Sequence, residues 1–277
     1  MNKDINISIV IPTYNAEKSI YLLLESLFKE LNLLKLSFEI IIVDDNSTDD
    51  TINEIKKFKN NSETVNITVI KSSSNYGQVT STLFGVSRTK GKKILTIDDD
   101  LQHDPVEIKN LYDHLFINKL DSVVAYWKVD ENLIRNVSSV IFNFLSNILQ
   151  FKNPRYRNTA FRLFDSKLKD KFIEYFLDKN WIDIRRISKL NDQLMTIHNP
   201  PLKRKHTGFI KRVKLALHYF FLDTYFFELI TILLIFLLDE LFVIIIFLTI
   251  VVKKVTRYRL YKLRKNLFLN SDNYQIY

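Results

Sequence analysis

Two rhythms alternate along the first 126 residues. Short apolar runs rich in β-branched side chains occur at Ile5–Ile11, Phe38–Val43, Val65–Ile70, Lys93–Ile97 and Val123–Tyr126. Their length and composition are those of strands. Phe38–Val43 is unbroken by polar residues, as a strand covered on both faces requires. Between the runs the period changes to that of a helix. Residues 17–31 place Ile20, Leu23, Leu24, Leu27 and Leu31 three and four positions apart, which is one helix face. Helices are also predicted up to about Lys59, with Ser47 or Asp49 as cap, over 78–89, and from Asp104-Pro105 onward, where proline suits a first turn. Strands alternating with helices predict an α/β fold, a mostly parallel sheet flanked by helices.

Beyond residue 126 the pattern changes. Residues 133–150 carry Ile134, Val137, Val140, Ile141, Phe144, Leu145, Ile148 and Leu149 on one helical face. Such a helix either packs on the sheet or lies on a membrane. The stretch Leu229 to Val252 is apolar apart from Asp239, Glu240 and threonines. A single span would bury the two acids near the bilayer centre, which is costly. A hairpin of helices over about 218–238 and 241–256 leaves them at its tip. Lys211, Arg212 and Lys214 precede it and Lys253, Lys254, Arg257 and Arg259 follow it, so both flanks are positive and both are expected on the cytoplasmic side. A shallow re-entrant hairpin and a buried pair of core helices are the alternatives. The expected organisation is a catalytic domain over 1–202, a basic membrane-proximal segment over 203–216, a membrane hairpin over 217–256 and a basic cytoplasmic tail over 257–277.

Charge supports that placement. Lys+Arg exceeds Asp+Glu by 40 to 31, a formal charge of +9. Seven of the basic residues lie between Lys253 and Lys265, next to the apolar stretch, which favours membrane lipids over nucleic acid as partner. The chain has no Cys, so zinc-finger spacing and a disulfide framework are excluded, and a cytosol-facing protein is expected. The polar start, Met1 to Asn6, has no apolar leader.

The chemistry gathers at strand ends, where open α/β sheets bind ligands. Pro12-Thr13-Tyr14-Asn15 follows the first strand, and Asp44-Asp45-Asn46-Ser47 the second. Ser74-Asn75-Tyr76-Gly77-Gln78 follows the third, and Asp98-Asp99-Asp100-Leu101-Gln102 the fourth. Three adjacent carboxylates repel one another unless a cation neutralises them, and oxygen ligands of this kind suit Mg²⁺ or Mn²⁺. With strand alternation Asp98 and Asp100 face one way and Asp99 the other. Otherwise the trio is a solvated acidic turn, with Asp104 capping the next helix. Asp44 and Asp45 either cap a helix or accept hydrogen bonds from a nucleobase or ribose. Tyr14 offers a ring for stacking, or is an ordinary turn aromatic.

These clusters, together with Phe161-Arg162-Leu163, resemble the family 2 glycosyltransferases of GT-A fold, most closely the polyprenyl-phosphate branch that includes dolichol-phosphate mannose synthase. The resemblance covers about residues 5–165. It implies an inverting, metal-dependent transfer from a nucleotide-sugar to a membrane-held acceptor, polyprenyl phosphate or the hydroxyl of a cell-surface glycan, in an enzyme for which a homo-oligomer is an open option. It implies catalytic roles for Asp98, Asp100 and Arg162, and metal ligation by Asp98, Asp100 and Gln102. Donor contacts are implied for Pro12, Tyr14, Asn15, Asp44, Asp45, Asn75, Gln78, Asp99, Lys203 and Arg204, with Asp44 on the base and Asp45 supporting its loop. A noncatalytic membrane scaffold is the alternative of another class.

Three stretches depart from the family pattern. Ala16 stands where the family often has Glu after Tyr-Asn, and Glu17 follows. The acid that many relatives carry before Phe-Arg is missing from Arg157-Asn158-Thr159-Ala160, and the Arg-Gly-Ser region of the lipid branch reads His198 to Phe209 with only Lys203, Arg204 and Lys205 as its basic core. A hydroxyl acceptor needs a general base, whereas a lipid phosphate is already anionic and needs none. The missing acid thus favours a phosphate nucleophile held by Arg162 and the 203–205 cluster, unless that cluster only meets lipid headgroups. Asp165 and Asp183 are the candidate bases for a hydroxyl acceptor.

Overall fold

The computed structural model describes residues 5–61, 66–128, 156–179, 187–196, 251–256, 258–259, 261–262, 265–266 and 274–276. Residues 1–127, 157–203 and 267–277 form one compact unit, and residues 128–156 and 204–266 a second. In the second unit, residues 251–256 are helical. Among the described residues no helix is long and apolar enough to cross a membrane. The predicted helix over 133–150, the hairpin up to residue 250, the basic cluster Lys203–Lys205 and Asp183 lie outside the described residues.

The first unit is built on an eight-stranded sheet. In chain order its elements are β1 (Ile7–Thr13), α1 (Ile20–Leu33), β2 (Phe38–Asp44), α2 (Thr51–Asn61), β3 (Ile67–Ser72), α3 (Gln78–Arg88), β4 (Lys93–Thr96), α4 (Glu107–Ile117), β5 (Ser122–Lys128), β6 (Tyr156–Asp165), α5 (Lys169–Lys179), β7 (Asn191–Met195) and β8 (Tyr274–Ile276). The strand order is β7-β5-β6-β4-β1-β2-β3-β8. β1 runs parallel to β2 and β4, β2 to β3, and β5 to β7, while β6 is antiparallel to β4 and β8 to β3.

The sheet's two faces follow from the two-residue period of its strands. Ile7, Ile9 and Ile11 of β1 and Ile40 and Ile42 of β2 face one way, against the stripe Ile20, Leu23, Leu24, Leu27 and Leu31 of α1, with α2 and α4 beside it. Val10 and Ile94 face the other way, against Leu83 and Val86 of α3 and Phe172 of α5. Every residue of β1 is buried, which is what a central strand covered on both faces demands. Emptying one α1 position, Leu24→Ala, would cost about 2–5 kcal/mol. Helix α3 sits unusually close to the sheet because Gly85 has no side chain there. A Cβ at that position would run into Val10 and crowd Val43.

The strand–helix alternation read from the sequence is present as far as β5. The antiparallel members β6 and β8 are additions to it. The tail over 257–277, expected as a basic cytoplasmic end, contains β8, because the exposed edge of β3 offers unpaired backbone groups that a short strand can satisfy. Three residues are too few for periodicity to announce them.

Candidate active site

The order of strands reverses at β1: β2 lies on one side and β4 on the other. Pairing of β1 with β4 stops at Val10↔Thr96, two residues before Pro12, whose missing N–H would break the ladder in any case. The carboxyl ends of β1 and β4 are therefore free to part, and a crevice at such a switch point is where ligands of open α/β sheets sit.

The loops around the crevice are tied to each other by side chains. Ser47 Oγ accepts the Asn15 amide at 2.9 Å, and Asn15 Oδ1 accepts the Thr48 amide at 2.9 Å. Thr51 Oγ1 accepts the Ala16 amide at 2.7 Å. Asn15 and Asn46 have positive φ, 52° and 63°, a conformation asparagine tolerates better than most residues. The start of α2 is capped by Asp49, whose Oδ1 accepts the Thr51 amide at 3.1 Å, while Ser47 is committed to Asn15. Pro12 is buried within β1, and Tyr14 stands 43% exposed at the rim.

Asp44 and Asp45 point into protein. Asp44 is fully buried, its carboxylate accepts the Ser47 amide at 3.2 Å, and burial pushes its pKa up. Asp45 is 2% exposed and accepts two adjacent amides, Tyr76 at 2.7 Å and Gly77 at 2.8 Å. That double bond holds the 73–77 loop in an unusual shape. Gly77 sits at φ 91°, ψ 147°, a region closed to residues with a Cβ, just before α3 begins. The first residue of α3, Gln78, then reaches across the crevice and donates from Nε2 to Asp98 Oδ1 at 2.5 Å. Asn75 lies exposed in the same loop.

The acid trio after β4 divides as the alternation of a strand predicts. Asp99 turns to β1, where its Oδ2 accepts the Thr13 hydroxyl at 2.7 Å and the Tyr14 amide at 3.2 Å. Asp98 keeps part of its surface open to the crevice yet lies deep in the protein. Burial, then the neighbouring charges of Asp100 and Asp99, push its pKa up to about 7, against the opposing pull of Arg162. Asp100 accepts the backbone amide of Gln102 at 3.1 Å. Leu101 between them has φ 59°, a strained value for a bulky residue. Arg162 lies on β6 opposite Thr96, almost fully buried, on the side of the trio.

A carboxyl group held near pKa 7 beside a second carboxylate is a site that a cation would relieve. Among the described residues no three His, Asp or Glu side chains converge as a metal cluster. Asp98 and Asp100 supply two carboxylates, and Mg²⁺ or Mn²⁺ commonly takes one or two from the protein and completes its shell with substrate phosphates. The donor set fits such an ion. The backbone amide of Gln102 donates to one of these carboxylates, Asp100.

Asp165 does not belong to this site. It pairs in register with Lys93, the first residue of β4, and its Oδ2 accepts from Lys93 Nζ at 2.7 Å. Asp98 lies five positions along the chain from Lys93, about 16 Å at the rise of an extended backbone. Asp165 therefore stands at the opposite end of the sheet, and the expectation that it could serve as a base at the crevice is corrected. Sequence reasoning gave no role of its own to Thr13, and missed Ser72; they supply hydroxyls to Asp99 and to the Asp44 carbonyl. Single hydroxyl residues at strand ends carry no pattern of their own. Gly77 was legible, being one of only four glycines in the chain.

The family model described as Glycosyl transferase family 2 matches residues 8–172. The dodecaprenyl-phosphate galacturonate synthase of Rhizobium johnstonii is 30% identical over 145 residues, 52% of this chain and 43% of that protein. The undecaprenyl-phosphate 4-deoxy-4-formamido-L-arabinose transferase of Proteus mirabilis is 36% identical over 105 residues, 38% of this chain and 32% of that protein. The chain thus spans less than half the length of these relatives. In fold it is similar to glucosyl-3-phosphoglycerate synthase from Mycobacterium tuberculosis, crystallised with Mn²⁺, UDP-glucose and phosphoglyceric acid, with a TM-score of 0.52 at 15% identity over 78% of this chain and 77% of that one.

Proposed function

The chain belongs to glycosyl transferase family 2, and on that premise we propose that it transfers a sugar, with inversion, from a nucleotide-sugar to a polyprenyl phosphate. The observation that carries the reading is Asp98: a carboxyl group pushed up to about pKa 7 beside Asp100, at the carboxyl end of β4, with Gln78 bonded to it. Mg²⁺ or Mn²⁺ held there by Asp98 and Asp100 would neutralise the charge growing on the departing nucleoside diphosphate. The protein's own part is positioning. Tyr14 offers a ring at the rim for the base, Asp44 and Asp45 shape the adjoining wall, and Gln78 and Asn75 face the diphosphate. Arg162 supplies fixed positive charge beside the acids.

The phosphate acceptor is favoured by chemistry. A hydroxyl nucleophile needs a base within hydrogen-bond reach, and a phosphate does not. Asp165, one of two candidate bases, is spent on Lys93 at the far end of the sheet. The two relatives named above are by their names polyprenyl-phosphate sugar enzymes. Lys203, Arg204 and the apolar stretch within 217–256 are proposed to bring the crevice to the cytoplasmic face of a membrane, where the lipid's headgroup is presented.

The test uses the full chain in detergent with undecaprenyl phosphate, Mn²⁺ and a panel of radiolabelled UDP- and GDP-sugars. Label should pass into the organic phase with at least one donor, and chelation should abolish it. Label that enters only a water-soluble glycan would replace the lipid acceptor by a hydroxyl one.

A further inference from the structure

We propose that the C-terminal strand is a working part of the donor site, with Tyr274 as the positioning residue of the loop that leads to Gln78. The functional side of this proposal rests on the reading of the crevice as a nucleotide site.

Strand β8 does not join the sheet at an arbitrary place. It pairs with the last residues of β3, Ile70↔Ile276, Lys71↔Gln275 and Ser72↔Tyr274. Ser72 is where β3 ends and the 73–77 loop begins, and its hydroxyl donates to the Asp44 carbonyl at 2.8 Å. Tyr274 is 8% exposed, and its ring stacks on Phe84 of α3 at 3.5 Å between centroids and 12° between planes. Its ring also lies 6.0 Å from that of Tyr76, the residue whose amide is gripped by Asp45. One aromatic side chain thus touches both ends of the segment running from Tyr76 through Gly77 and Gln78 into α3. No atom lies within 4 Å of where a side chain at Gly77 would begin, so its backbone is held by hydrogen bonds, the Asp45 carboxylate on its amide among them, and by the residues on either side.

Removing the ring should let the 73–77 loop open. The Asp45 carboxylate would lose hold of its two amides, and Gln78 would drift from Asp98. The Tyr274 hydroxyl has no hydrogen-bond partner among the described residues, so the ring does this work and the oxygen does not. The chain reaches β8 only after residues 204–266 of the second unit.

The experiment compares the full chain with Tyr274→Ala and Tyr274→Phe. Amide hydrogen exchange is followed over residues 73–80, with β1 as internal control. Binding of UDP and of GDP is titrated in Mn²⁺. In Tyr274→Ala, exchange at Tyr76 and Gly77 should rise while β1 stays protected. Affinity for whichever nucleotide binds the parent should fall about tenfold, the scale of one lost hydrogen bond. In turnover this reads as a higher donor KM with kcat held. Tyr274→Phe should behave as the parent. Unchanged exchange at Tyr76 and Gly77 in the alanine variant overturns the inference, as does raised exchange with nucleotide affinity intact, or a phenylalanine variant as impaired as the alanine one. If the parent binds neither nucleotide, the nucleotide reading of the crevice has failed, and exchange alone still decides whether Tyr274 holds the loop.

Discussion

Asp99 is bonded to Thr13 at 2.7 Å, turned away from the two acids that flank it in sequence. This bond staples the carboxyl end of β4 to that of β1 just beyond the point where their backbone pairing stops. Asp98 and Asp100 are left to the crevice, and the adjacent acid becomes part of the frame. Thr13→Val, which keeps the shape and removes the hydroxyl, should cost about 1–3 kcal/mol, the penalty for taking a donor from a buried carboxylate. Urea denaturation of the variant and the parent measures it, and equal midpoints and slopes would show the staple to be idle.

Asp100→Ala should leave the thermal unfolding midpoint close to the parent's, since this side chain accepts a hydrogen bond from a neighbouring loop amide. Cation-dependent transfer should fall by roughly 10²–10³-fold, the scale of losing one preorganised electrostatic contact to the departing group. A variant with more than half the parent's kcat at saturating Mn²⁺ would remove Asp100 from the metal assignment.

Asp45 accepts two amides at once, which needs both carboxylate oxygens. Asp45→Asn replaces one acceptor by a donor that faces an N–H, so it should be nearly as damaging as Asp45→Ala. Both should lose about 1–3 kcal/mol through unsatisfied buried amides. Gly77→Ala should lose about 1–3 kcal/mol through φ strain alone, since no atom crowds the added Cβ. Denaturant titration of the three proteins tests this, and an asparagine variant as stable as the parent would contradict the two-amide clamp.

Asp165 gives the pH prediction. Despite partial desolvation, hydrogen bonds from Lys93 and the Lys167 amide and the charges of both lysines hold its pKa below the ordinary carboxylate value. A lowered folded pKa means that the unfolded chain takes up the proton first. The pair's contribution is then full above the ordinary carboxylate range and is lost as pH falls through the folded value. Asp165→Asn should flatten this acid-side decline in a series of urea denaturations from pH 7 down to pH 3. Because Asp165 is remote from the crevice, transfer activity at pH 7 should be retained, and an inactive but folded Asn variant would return it to the list of bases.

Asp98 works in the opposite sense. Its raised pKa means that the folded state holds the proton between the ordinary carboxylate value and about 7, so stability from this group falls as pH rises through that window. In chelator, Asp98→Asn should be the more stable protein at pH 8 and gain nothing at pH 4, while losing cation-dependent transfer. Differential scanning calorimetry at the two pH values checks the sign.

The sequence by itself determined the order of elements as far as β5, the burial of Phe38–Val43, and the inward stripe of α1. These are local matters of period and composition that neighbouring residues settle among themselves. It also determined that polar clusters fall at four strand ends, because strand-to-helix turns need such residues whatever surrounds them. Only the tertiary structure decided which acids share a space. Asp98 and Asp99 are adjacent in the chain yet face different partners, and Asp165, a candidate base in the sequence, lies at the other end of the sheet because β6 runs antiparallel to β4. Strand direction is set by pairing between distant segments, and a short strand such as β8, whose partner lies two hundred residues away, has no local period to reveal it.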